Sequence, residues 1–81
     1  MTVITTKRGT KVRSQSHRRF IVVRESFENG TREGSLASIE KRSNSLDALR
    51  THVRRRGQFD GNGKFTTLRS IFDTRTGEEV R

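Results

Sequence analysis

The chain has no cysteine, proline, tryptophan or tyrosine. Without Cys, neither a disulfide nor a thiolate metal site can stiffen the fold, and the absence fits a reducing interior. Without Cys or Tyr, acid–base and nucleophilic chemistry would rest on two histidines, His17 and His52, with carboxylates placed beside them. His17 sits in a basic stretch and His52 at the margin of a predicted helix, so solvation or packing is the expected role of each. No catalytic residue, metal or cofactor is expected. No apolar run approaches the ~18–20 residues of a membrane span, and the N-terminus lacks the apolar stretch of a secretory signal. A soluble, cytoplasmic protein with no membrane partner is expected.

A Pro-rich linker, an internal repeat and a low-complexity tail are also missing, so residues 1–81 read as one small basic domain. Only 27% of the 81 residues are apolar, near the level at which folding fails, and the core must be thin. Order is expected all the same, because the apolar residues fall in patterned runs between Gly-containing turns.

Charge is abundant and uneven. The net charge is +9, with 14 Arg and 4 Lys. Residues 7–24 carry seven cations and no acid, residues 25–40 sum to −3, residues 41–56 to +5, and residues 57–81 to zero. Such blocks create a field that polyanions feel.

Residues 2–14, rich in Thr and Val around Gly9, predict a hairpin turning at Arg8-Gly9. Phe20 to Val23 is continuously apolar and predicts a central strand covered on both faces. Asn29-Gly30 predicts a two-residue type I′ turn, Gly34 a second flexible point, and Leu36 to Ile39 a weaker strand. The one helix is expected over about 45–56, with Asn44 as N-cap, Arg54, Arg55 and Arg56 in the last turn, and Gly57 as the stop. Its stripe of Leu46, Leu49 and Val53 should pack on a sheet containing Ile21 and Val23. Phe20 or Val22, Ile39, Phe65, Leu68 and Ile71 should join the core. Gln58 to Gly63 reads as a loop, Lys64 to Asp73 as a strand, and Glu78 to Val80 as a strand pairing back. Asp60-Gly61-Asn62-Gly63 is similar to the opening of a calcium loop but lacks the later ligands, so a turn is expected there. The fold class is α+β, β-β-β-α-β-β: a small, mainly antiparallel sheet in two layers with a single helix packed on one face.

The chain has no RNP aromatic pair, GXXG clamp, zinc finger or second helix for a helix-turn-helix. Its five aromatics are all Phe; Phe20, Phe65 and Phe72 fall in strand patterns where core packing is the default, and base stacking by Phe27 and Phe59, beside turns, is the lesser alternative. The basic blocks predict binding to nucleic acid, duplex DNA first, through Arg50, Arg54, Arg55 and Arg56 on the helix. Lys7, Arg8, Lys11, Arg18 and Arg19 should contact backbone, in a phosphate-dominated mode.

Ser43 to Gly57 (SNSLDALRTHVRRRG), with the following strand ending IFDTRTGEEV at Val80, resembles the small Arg-rich orphan proteins of actinobacterial bacteriophages. The resemblance implies an accessory role in the host cytoplasm, either binding DNA or binding and redirecting a host protein, and it brings no functional residue with it. Three partners therefore stay open: nucleic acid, a host protein with an acidic surface, and a second copy joined through an unprotected first or last strand.

Overall fold

Thr and Val around a central Gly favour paired strands, and the first residues form a hairpin of their own, β1 (Thr2–Thr5) with β2 (Lys11–Ser14). The computed structural model describes residues 2–15, 17–31 and 35–81. The hairpin turn is closed by the Gly9 amide donating to the Thr6 carbonyl at 2.9 Å. Gly9 has φ +84°, in the left-handed region that a side chain would resist.

The large sheet contains β3 (Phe20–Glu28), β4 (Leu36–Ser43), β5 (Phe59–Gly61), β6 (Phe65–Asp73) and β7 (Glu79–Val80), with helix α1 (Leu46–Arg56) between β4 and β5. All its pairings are antiparallel, in the order β4-β3-β6-β5, with β7 also on β6. The fold is α+β with one helix on one face of an antiparallel sheet. It departs from expectation in three places: four strands precede the helix instead of three, the Gln58 to Gly63 loop contains β5, and the hairpin supplies a third layer.

The third layer follows from the period of a strand. Successive β3 side chains point to opposite faces, so Ile21 and Val23 face the hairpin while Phe20 and Val22 face the helix. The hairpin side buries Ile4, Val12, Ile21, Val23 and Phe72, with Ala37 and Ile39 packed against them. The helix side buries Val22, Leu49 and Ile71, with Phe20, Leu46, Val53 and Val80 around them. The helix stripe thus meets Val22 and Ile71, not Ile21 and Val23. Phe65, expected in the core, is 45% exposed because it pairs with Glu28 at the far end of the sheet.

Two local expectations also change. Ser45, not Asn44, caps α1: the Ala48 amide donates to Ser45 Oγ at 3.2 Å. Asn44 is engaged elsewhere, accepting from the Arg19 amide at 2.8 Å. At Asn29-Gly30 only Gly30 has positive φ, and the Thr31 amide donates to the Glu28 carbonyl at 3.2 Å. That is the pattern of a type II turn, and β4 begins only at Leu36. Gly34 lies outside the described residues.

Candidate nucleic-acid interface

The last turn of α1 carries Arg54, Arg55 and Arg56, all exposed, where cations meet the negative end of the helix dipole. Gly57 ends the helix with φ +98°, its amide donating to the Val53 carbonyl at 2.7 Å. Arg50 lies four residues before Arg54 and shares its face. Beside this face, along the outer edge of β6, runs an open groove of about 660 Å³. Arg50 and Arg54 from the helix, Lys7 from the hairpin turn and Arg81 after β7 line it. Its apolar lining is Val53, Ile71 and Val80, its neutral polar lining Gln58 and Ser70, and its one acidic side chain Glu79. Lys7 Nζ and Arg81 Nε each lie 3.6 Å from a Glu79 oxygen, and Arg50 donates to the Arg81 carbonyl at 3.5 Å. The Arg81 side chain remains 88% exposed and that of Lys7 46%.

Three of the nine residues expected to touch nucleic acid, Lys7, Arg50 and Arg54, therefore meet in one groove, with Arg55 and Arg56 adjacent on the helix. The others lie elsewhere. Arg8 stacks over the Phe27 ring at 3.7 Å and donates to the Thr31 carbonyl at 3.0 Å. Lys11 donates to Thr5 Oγ1 at 3.2 Å across the hairpin. Arg19 lies over Phe20 and 3.5 Å from Asp73 Oδ2, and the Arg18 carbonyl accepts from the Thr74 hydroxyl at 2.9 Å.

Arg69 lines the groove but is only 7% exposed. It donates through Nε to Glu40 at 2.9 Å and through Nη1 to the Gly57 carbonyl at 3.2 Å. His52 Nε2 lies 2.9 Å from the same Glu40 carboxylate. Glu40 occupies a bulge: Val22 pairs with Lys41 and Val23 with Ile39, which leaves Glu40 outside the register and free to turn toward the helix. Partial burial pushes the Glu40 carboxyl up, but the hydrogen bonds from His52 and Arg69 and their charges outweigh it and hold the carboxyl below its ordinary value. The trio ties α1 to β4 and β6, and of its members Arg69 lines the groove. His52 thus meets one carboxylate, in a packed position.

Of the expected turn, Asp60 and Gly61 belong to β5 and pair with β6, and the β5–β6 turn is made by residues 62–64, where Asn62 Oδ1 accepts from the Lys64 and Phe65 amides at 3.2 and 3.0 Å. Among the described residues, no group of three or more His, Asp or Glu is placed to hold a metal ion. No helix among them is long and apolar enough to cross a membrane.

Sequence reasoning did not find Arg81, Gln58, Ser70 or the apolar floor of the groove. The basic blocks were its only signal, and Arg81 lies in the block whose charges cancel. No protein-family model, curated protein or solved structure matches the chain.

Proposed function

We propose that the protein binds nucleic acid through phosphate-dominated contacts along this groove and the adjoining turn of α1. One observation carries the reading: cations far apart in the chain, Lys7, Arg50, Arg54 and Arg81, line one groove with a single acidic side chain, Glu79, among them. A merely solubilising charge has no reason to converge, since like charges brought together repel. Arg supplies a planar fork matched to phosphate, and the chain's 14 Arg against 4 Lys fit that use. Fluorescence anisotropy at two salt concentrations tests it. Log K should fall with log salt by about 0.9 per phosphate contact on duplex DNA. The double variant Arg50→Ala, Arg54→Ala should flatten that slope by about two contacts, whereas Arg13→Ala, Arg75→Ala, at exposed positions outside the groove, should not. Affinity no better than a scrambled polycation of equal charge would end the reading.

A second reading, an accessory protein that docks on an acidic protein partner or pairs with itself, is favoured by one observation. β4 is one of the edge strands of the large sheet, and its first residue, Leu36, is 83% exposed, an edge open to strand addition. A stoichiometric protein partner that survives nuclease treatment in a pulldown would support it.

A further inference from the structure

We propose that a second pocket, on the part of the helix face that α1 leaves bare, takes an unpaired guanine base; this goes beyond the groove and its phosphate contacts. Strand period and the end of α1 fix the place. Arg24 pairs with Arg69, Ser26 with Thr67 and Glu28 with Phe65, and these side chains share the face on which the helix lies. Pairing with Thr67 puts Asp60 of β5 on that face too. Gly57 ends α1 with its carbonyl bonded to Arg69, and in the rows beyond it Leu36 and Phe65 are 83% and 45% exposed. There Arg24, Asp60, Asn62, Phe65 and Thr67 line a pocket of about 210 Å³ beside Gly61. That is below the ~300–1,000 Å³ of clefts for drug-sized ligands, a size that suits one flat ring system.

The chemistry selects the ring system. Asn62 Oδ1 is engaged by the Lys64 and Phe65 amides and the Thr67 hydroxyl by Ser26. Arg24 and Asp60 are exposed, and among the described residues their side chains make no hydrogen bond or ion pair, with each other or with anything else. A cation and a carboxylate that share a small pocket without pairing match a ligand with acceptors on one edge and donors on the next. Guanine alone among the bases carries both as pairs. Its O6 and N7 accept from an arginine fork, and its N1–H and 2-amino group donate to a carboxylate. Phe65 supplies a ring for its flat face. Glu28, opposite Phe65 on β3, adds a second acid, so the pocket is no phosphate trap like the groove. In a duplex the N1–H is spent on cytosine and the faces on neighbouring pairs, so the base must be unpaired. It can arrive in a single strand or as a free nucleotide, since both present the same edges.

Fluorescence anisotropy of an oligothymidylate of about 8 nucleotides, with and without one internal guanine, tests the pocket, and guanosine monophosphate is the second probe. The guanine should tighten binding by about 5- to 150-fold. Hypoxanthine in its place, which lacks the 2-amino group, should lose part of that gain. Asp60→Asn should weaken the guanine oligomer and abolish the preference. Charge alone predicts the opposite sign, because removing an acid tightens the binding of any polyanion. Arg24→Gln should also abolish the preference. Phe65→Ala should weaken the guanine oligomer, whereas Phe59→Ala should leave it unchanged, since pairing with Leu68 puts that ring on the hairpin face. All four positions are exposed, so the substitutions spare the fold. Binding of guanosine monophosphate that Asp60→Asn removes supports a free nucleotide as the ligand, and a preference confined to the oligomer supports a strand. Equal affinity for the two oligomers, with tightening by Asp60→Asn, overturns the guanine site and leaves the nucleic-acid reading of the groove standing. Binding of no probe beyond a scrambled polycation overturns both.

Discussion

On its hairpin side the central sheet is closed by five buried apolar residues, whereas on its helix side three are buried among the described residues and a hydrogen-bonded trio of Arg69, Glu40 and His52 lies beside them. The polar groups differ in kind as well. Beneath the hairpin, Glu25 is 3% exposed and accepts from the hydroxyls of Thr6 and Ser35. Beneath the helix, Arg69 is matched by an ionised carboxylate and a carbonyl. Width explains the contrast. A helix is about 10 Å across and strands lie about 4.8 Å apart, so one helix covers about two strands. The edge of β6 that carries β7 is left beside it as a groove, and the residues lining that groove are free to be cationic.

The largest effects should come from the apolar layers. Ile4 and Leu49 are both fully buried, one on each side. Ile4→Ala and Leu49→Ala should each destabilise the fold by about 2–5 kcal/mol in urea melts. A loss under about 1 kcal/mol for Ile4→Ala alone would show that the hairpin is no part of the cooperative core, and the comparison would fail at its stronger half.

Next comes the trio of Arg69, Glu40 and His52. Glu40→Gln should cost about 1–3 kcal/mol at neutral pH, as expected for losing hydrogen bonds to charged groups. The Glu40 carboxyl is held below its ordinary value by His52 and Arg69. Its contribution is therefore complete above the ordinary glutamate pKa and is lost as the pH falls through the lower folded value. Stability curves of wild type and variant should converge in acid. Curves that stay parallel would mean that the trio adds no ionic stabilisation.

The smallest effect sharpens the helix boundary. Ser45→Ala should cost about 1 kcal/mol by thermal melting, from loss of the cap. Asn44→Ala should leave the α1 cap intact and release the Arg19 amide instead.

Much of this arrangement was legible. Phe20 to Val23 demanded cover on both faces, and the helix showed its stripe, its stop and its basic last turn. Which β3 residues face the helix was open to a misreading by one position, and that misreading exchanges the two layers. The cap was off by one residue because Asn44 and Ser45 are both good caps, and only the distant Arg19 amide separates them. Lys7, Arg50 and Arg54 were visible as cations, but local pattern could not bring Lys7 beside Arg81. Val53, Ile71 and Val80 read as core or strand because apolar residues carry no mark of lining an open groove. The Glu40 bulge had no local signal.

The hairpin has its own ladder, and among the described residues no ladder joins it to the large sheet. It is held by the burial of Ile4 and Val12 and by side-chain bonds such as Thr2 to the Thr74 carbonyl and Thr6 to Glu25. Detaching it breaks no described strand pairing but exposes Ile21, Val23 and Phe72, so the cost of opening is the apolar layer and those side-chain bonds. Lys7 would leave with it, removing one wall of the groove. A ligand gripping Lys7 therefore pins the hairpin, and amide protons of residues 2–14 should exchange with solvent more slowly once the groove is filled. Occupancy at one edge of the sheet would then be recorded in the protection of the layer on its opposite face.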